Sequence, residues 1–448
     1  MSALLDDAAQ RASRYLESLD TRAVAPSPEA VAALARFAQP FPERGLSAEA
    51  VIRELDEIGS PATMASAGGR FFGFVIGGSL PVTVAANLLA TAWDQNAGLV
   101  VTGPVNATLE TVALHWLRHL FQLPVQCAGG FVTCATSANF SALAAARHAL
   151  LARAGWDVEA QGLFGAPELS VVIGEEVHAS IQKALSLVGF GRERVIRVPV
   201  DAQGRMRAEA FPDVDARTIV CVQAGNVNTG AFDPIGEICE RARSRGAWVH
   251  VDGAFGMWAA ASPVQAHLAR GIENADSWAT DAHKWLNVPY DSGLVFTRDA
   301  GALRAAMSIG AAYLAQDEDR VPYHYTPEFS RRARGIEVWA ALRQLGRQGL
   351  ADLIERTCRH ARRFAEGLRA AGYRILNDVV LNQVLVSFGD AERTRLVMKR
   401  IQDDGTCWCG GTLWQGQVAM RISVCSWATT EADVERSLAA MLRIAGSP

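Results

Sequence analysis

The sequence predicts an α/β protein: a large domain built on a mostly parallel sheet, followed by a smaller α+β domain. Two observations carry this reading. Between about residues 129 and 298, short β-rich runs alternate with helical patterns, the order that lays parallel strands beneath covering helices. Beyond about residue 335, two amphipathic helices lead into strands and helices in a new arrangement, which reads as a second fold unit. A length of 448 residues accommodates two or three domains.

The elements follow in order. Residues 1–66 read as a helical arm, its helices separated by Pro26, Pro28, Pro40, Pro42 and Pro61. In the run 106–121, Leu109, Val112, Ala113, Trp116 and Leu120 share one helical stripe, with Asn106 or Thr108 as the cap. The strand runs of the large domain, 67–310, are 170–173, 195–198, 218–223, 248–251, 277–280 and 294–297. Helices are expected at 137–153, 181–188 and 234–245, the last stopped by Gly246. The polar, proline-containing stretch 311–334 breaks the alternation and is long enough to be functional. The small domain, 335–448, should hold helices at 335–348, 351–371, 393–404 and 430–444, with strands at 384–388 and 420–424.

Composition narrows the function. Basic and acidic side chains number 43 and 47, a formal charge of −4, which argues against a nucleic-acid partner. The first twenty residues carry Asp6, Asp7, Glu17 and Asp20 and lack the pattern of a secretory leader. Gly, Pro and charges interrupt every apolar stretch before the roughly 18 residues of a membrane span. Eight cysteines form neither a disulfide framework nor a C-x-x-C motif, and Cys407 and Cys409 have no histidine at ligand spacing, so no metal site is assigned. A soluble cytoplasmic protein is expected.

The basic residues are forty arginines and three lysines, Lys183, Lys284 and Lys399. A chain that meets its charge needs with arginine makes each remaining lysine a candidate for chemistry that arginine cannot perform, because a lysine amine can lose its proton and attack a carbonyl. None of the three lysines follows a glycine, so there is no P-loop.

Four places could carry chemistry. Asp252 ends the apolar run 248–251, and ligands of open α/β sheets sit beyond the carboxyl ends of strands; a ligand-facing acid and a turn aspartate are both open readings. Lys284 follows the 277–280 strand at the same sheet edge, and Trp278, Trp285 and Leu286 around it should desolvate its amine. Residues 129–139, including Thr133, Cys134, Ala135, Thr136, Ser137 and Asn139, are small or hydroxylated and open onto a helix, which suits a phosphate and suits an ordinary cap equally well. His178 lies beyond the 170–173 strand, where a structural role is as open as a catalytic one.

Taken in this order, the segments His178-Ala-Ser180-Ile-Gln-Lys183, Ala224-Gly225, Thr229-Gly-Ala-Phe-Asp233-Pro234, His250-Val-Asp252-Gly-Ala254 and His283-Lys284-Trp285 resemble the group II pyridoxal-phosphate-dependent amino-acid decarboxylases, the family of the aromatic amino-acid and glutamate decarboxylases. The resemblance runs from about Gly68 to the C-terminal helix. It implies the type I fold of pyridoxal-phosphate enzymes, aspartate aminotransferase-like, with a seven-stranded sheet. It implies pyridoxal 5'-phosphate as cofactor, decarboxylation of an L-amino acid to amine and carbon dioxide, and a homodimer with active sites near the interface.

Residue roles follow from the resemblance. Lys284 would carry the cofactor covalently and Asp252 would pair with its ring nitrogen. His178 would lie on one ring face and Ala254 on the other, while Ala135, Thr136, Asp281 and His283 would border the phosphate. A loop tyrosine, Tyr323 or Tyr325, would return a proton to the α-carbon. Phe74, Val75 and Leu99 would line an apolar side-chain pocket. The basic run Arg331-Arg332-Ala333-Arg334 would anchor the active-site loop or form a solvated face. This chain departs from the family in Asp281-Ala282, where Asn-Pro is commoner, and in Thr133–Thr136, where glycine or serine is usual. Two other outcomes remain open on this scaffold: an aldehyde-forming oxidative decarboxylase or carbon–carbon lyase, and a catalytically silent binding protein.

Overall fold

The computed structural model describes residues 2–309 and 320–447. Residues 311–319 of the expected active-site loop lie outside the described residues. The chain forms two compact units. One comprises Met1–Gly78, His360–Leu376 and Val384–Pro448; the other comprises Ser79–Arg359 and Asn377–Gln383.

The second unit holds a seven-stranded sheet: β1 (Ala128–Val132), β2 (Ser170–Gly174), β3 (Ile196–Val198), β4 (Thr218–Gln223), β5 (Trp248–Asp252), β6 (Ser277–Asp281) and β7 (Gly293–Thr297). Their spatial order is β1-β7-β6-β5-β4-β2-β3. All neighbours are parallel except β7, which runs antiparallel to both β1 and β6. The carboxyl ends of β1, β6, β5, β4 and β2 therefore share one edge, and the expected α/β fold is present. β5, β6 and β7 are buried at every position, which explains their near-continuous apolar runs.

The Ala135–Arg153 helix starts three residues after β1, so its N-terminus lies at that edge. It is alanine-rich and buried on most sides, as a helix pressed between a sheet and other helices must be. Gly293 permits this seat: a Cβ there would lie 2.6 Å from the Cys134 backbone. The Pro104–Leu120 helix begins earlier than the stripe suggested. Its N-cap is Gly103, with proline in the first turn, rather than Asn106 or Thr108.

The first unit contains β8 (Arg374–Ile375), β9 (Gln383–Ser387), β10 (Gly410–Trp414) and β11 (Gln417–Ser423), in the order β10-β11-β9-β8, with the Ala391–Asp404 and Glu431–Ala445 helices. The buried Arg70 guanidinium ties this unit together, donating to the carbonyls of Leu19, Asp20, Arg22 and Thr406. Among the described residues no helix is long and apolar enough to cross a membrane.

Candidate active site

The site is built where β5 and β6 end beneath the first turns of the Ala135–Arg153 helix. Asp252 closes β5 and is buried. Its Oδ2 accepts from Asn139 Nδ2 at 3.2 Å and Ser180 Oγ at 3.4 Å, and its Oδ1 accepts from the Ala254 amide at 3.2 Å. Among the described residues no cationic side chain forms an ion pair with it.

Asp281 closes β6. Cys134, the N-cap of the Ala135–Arg153 helix, makes no side-chain cap bond; Asp281 Oδ1 takes that place from another strand, accepting the Ala135 amide at 2.6 Å. A carboxylate suits a helix N-terminus because unsatisfied amides and the helix dipole favour negative charge there. Asp281 Oδ2 lies 3.1 Å from Lys284 Nζ and 3.6 Å from His283 Nε2. One helix thus touches both acids, Asp281 through residue 135 and Asp252 through residue 139, a separation of about 6 Å along its axis. Lys284, through Asp281, and Asp252 are consequently placed by the start of one helix at the same sheet edge.

Lys284 is partly exposed, and the expected apolar frame is not what meets its amine. The buried Trp278 and Trp285 indoles are committed elsewhere, to the Ile272 carbonyl and to Thr357 Oγ1, while the amine faces the Asp281 carboxylate. Lys183 is exposed, and Lys399 is exposed and paired with Asp403.

His178 caps the Ala179–Leu187 helix. Its Nδ1 accepts the Ser180 amide at 3.2 Å and lies 2.8 Å from Ser180 Oγ, which leaves the ring itself exposed at the sheet edge. Ser180 therefore bridges His178 and Asp252. The buried His283 is held through Nδ1, which accepts the Ser292 amide at 3.0 Å, and its ring lies on Tyr290 at 4.3 Å; burial lowers its pKa. Ala254 remains partly exposed, and its carbonyl accepts the Asp281 amide at 2.9 Å.

The tyrosines occupy the turn Pro322–Tyr325. Tyr323 is buried, hydrogen-bonded to His324 Nε2 at 2.8 Å and stacked on Phe329, with its amide on the Gly98 carbonyl beside Leu99. Tyr325 lies beneath the Arg320 guanidinium, 4.8 Å from it. The basic run is no solvated face: Arg331 pairs with the buried Glu110 and donates to the Phe131 carbonyl of β1, and Arg334 pairs with Asp291 at 2.7 Å. In the first unit, Phe74 is exposed and stacked on Trp408 and Val75 is buried.

The residues fit a flat, phosphorylated, nitrogen-containing ring. A buried acid without a protein cation suits a protonated ring nitrogen. At the other end, the helix first turn brings Thr136 and Ser137, and the buried Ser292 Oγ has no hydrogen-bond partner in the described structure, a donor available to an anionic group.

Comparison with known proteins agrees with the geometry. A sequence model of the pyridoxal-dependent decarboxylase conserved domain matches residues 29–389. The chain belongs to the pyridoxal-dependent decarboxylase family. It is 27% identical over 416 residues to tryptophan decarboxylase 1 of Oryza sativa subsp. japonica, covering 84% of this chain and 80% of that one. It is 25% identical over 386 residues to phenylacetaldehyde synthase of Arabidopsis thaliana, covering 79% and 77%. The crystal structure of Oryza sativa TDC with PLP and tryptamine superposes with a TM-score of 0.90 at 22% identity, covering 99% of this chain and 97% of that one. As a member of this family, the protein has pyridoxal phosphate as its cofactor.

Sequence reasoning singled out Lys284, Asp252, His178, Asp281 and His283, and the structure gathers them at one edge. It gave no role to Asn139, Ser180, His250 or Ser277. A signal existed: on a strand, Trp248, His250 and Asp252 share a face, so the histidine points the same way as the acid.

Proposed function

We propose that this protein removes the α-carboxylate of an L-amino acid as carbon dioxide, releasing the amine, and works as a homodimer in the cytoplasm. The observation that carries the reading is that a single helix meets Asp281, which pairs with Lys284, at residue 135 and Asp252 at residue 139, one turn further along. When bound, pyridoxal phosphate supplies an electron-accepting ring conjugated to the substrate α-carbon.

The chain's own residues do the rest. Lys284 offers the amine that would hold the cofactor covalently, with the Asp281 carboxylate 3.1 Å from its Nζ. Asp252 would pair with the ring nitrogen and hold a proton there, keeping the ring electron-poor. His178 and Ala254 would border the two ring faces, so the bond to be broken would be set by orientation rather than by an acid or base. Thr136, Ser137 and Ser292 take the phosphate. Tyr323 or Tyr325 delivers a proton to the α-carbon after carbon dioxide leaves.

Relatives named for tryptophan and aromatic amino acids support an aromatic or other apolar substrate side chain. The homodimer is supported by the Pro81–Trp93 helix, where Leu88 and Leu89 are each 53% exposed. Eight free cysteines suit a reducing compartment. The test is a panel of L-amino acids given to the purified protein with carbon dioxide, amine and oxygen followed together. Amine and carbon dioxide in equal amounts without oxygen uptake support the reading; aldehyde with peroxide overturns it in favour of oxidative decarboxylation.

A further inference from the structure

Behind Asp252, four buried side chains form a continuous hydrogen-bond path. Trp248 Nε1 is 2.9 Å from Ser277 Oγ, Ser277 Oγ is 2.9 Å from His250 Nδ1, His250 Nε2 is 2.9 Å from Asn139 Oδ1, and Asn139 Nδ2 is 3.2 Å from Asp252 Oδ2. Trp248, Ser277, His250 and Asn139 are each at most 2% exposed. They come from β5, β6 and the Ala135–Arg153 helix, and β-sheet register places His250 opposite Ser277.

The chemistry at the two ends fixes the direction of every bond. An indole N–H only donates, so Ser277 Oγ accepts from Trp248. An ionised carboxylate only accepts, so the Asn139 amide nitrogen faces Asp252 and its Oδ1 must accept from His250. Nε2 of His250 therefore carries a hydrogen. Complete burial pushes His250 down to about 4, which keeps the ring neutral with that single hydrogen, and Nδ1 accepts from the Ser277 hydroxyl. All four bonds point towards Asp252, and each donor is polarised by the one before it.

We propose that Asn139, His250 and Ser277 are positioning residues that hold the Asp252 carboxylate oriented towards the cofactor ring nitrogen. The inference rests on the reading of Asp252 as the partner of that nitrogen. Asn139 locks one carboxylate oxygen and the Ala254 amide locks the other, and the chain behind Asn139 fixes which way its amide points. Ring-nitrogen protonation then depends on a histidine that the cofactor never touches.

A merely structural network would affect folding without altering the cofactor. The experiment uses the full-length protein reconstituted with pyridoxal phosphate carrying ¹⁵N in the ring, and reads two quantities besides turnover: the ¹⁵N chemical shift of the ring nitrogen and the cofactor dissociation constant. His250→Phe should move the resonance towards the unprotonated position and weaken cofactor binding at least tenfold. His250→Gln, which can accept from Ser277 and donate to Asn139, should restore both. Ser277→Ala, a smaller change that survives if His250→Phe does not fold, should move both in the same direction by less. An unaltered resonance and affinity in His250→Phe, or in Ser277→Ala where only that variant folds, overturns the inference. Asp252→Asn separates the two levels: if it too leaves the resonance unmoved, the assignment of Asp252 fails; if it alone moves the resonance, only the chain behind it fails.

Discussion

At the residue scale, the scarcity of lysine is the most informative property of the sequence. Lysine is the rare cation of this chain, three against forty arginines, and Lys284 does lie at the sheet edge with Asp281 and His283. Lys284→Ala should leave the fold intact and eliminate the visible absorption band that borohydride reduces; a reducible adduct persisting in that variant would transfer the role to Lys183 or Lys399. The two tyrosines separate by the same logic. Whichever of Tyr323→Phe and Tyr325→Phe removes the proton donor should lower kcat by roughly 10²–10⁴-fold, the usual contribution of a placed acid. That variant should also shift product from amine towards aldehyde, read by chromatography; if neither variant changes rate or product, proton delivery does not come from this turn. The polar chain behind Asp252 left one trace in the sequence, the strand face that Trp248, His250 and Asp252 share, because its members matter chiefly through burial. Asn139 in a run of small residues and His250 in an apolar strand look like any other polar insertion until their surroundings are known.

At the scale of elements, the apolar runs located six of the seven strands in the large sheet within about two residues. They missed β1, because Gly129 and Gly130 strip the run 128–132 of the branched side chains that mark a strand. The same limit hid β10, which opens with Gly410 and Gly411 and alternates in exposure, and β8, which has two residues. The two helices expected at 335–348 and 351–371 are both present within Gly335–Ala370, separated at Gly346, whose φ of 60° and ψ of −171° are not helical. Charge patterning left the role of the basic run at 331–334 open, since sequence does not reveal that its partner Glu110 is buried. Glu110 takes Arg331 on one oxygen and Arg320 on the other, joining the Pro104–Leu120 helix to the segment that carries the tyrosines. Breaking a buried pair leaves an uncompensated charge, so Glu110→Ala should cost about 3–5 kcal/mol in urea denaturation. Glu110→Leu combined with Arg331→Leu should recover much of that loss; a double variant no more stable than Glu110→Ala would show that the pair does more than satisfy its own charges.

At the scale of the whole molecule, two predictions concern association and acid stability. On the Pro81–Trp93 helix only Thr83 is buried, Asn87 is tethered to Glu337 at 2.7 Å, and Leu88, Leu89 and Trp93 are exposed. Covering a leucine is worth roughly 1.5–3 kcal/mol, so Leu88→Asp with Leu89→Asp should convert a dimer to monomer in light scattering and reduce activity with it. An unchanged mass would place the interface elsewhere.

Acid stability is set in part by two buried groups of opposite sense. Burial pushes His250 from its ordinary 6.5 down to about 4, so the unfolded chain binds a proton that the folded protein refuses, and stability falls as pH drops from 6.5 towards 4. Burial raises Asp233 from 3.8 to about 6, overriding the Gln223 and Met206 amides that donate to it. The folded protein therefore keeps a proton that the unfolded chain releases, and the stability Asp233 contributes below 3.8 is lost as pH rises through 6. Between about 4 and 6 the two slopes oppose and largely cancel. Asp233→Asn removes one of them. Its stability should fall more steeply than that of the parent protein between about pH 6.5 and 4.5, by on the order of 2 kcal/mol, whatever its stability at neutral pH. His250→Gln should tilt the profile the other way. Urea midpoints taken across this range for the three proteins decide the matter, because parallel profiles would mean that neither group titrates differently in the folded and unfolded chains.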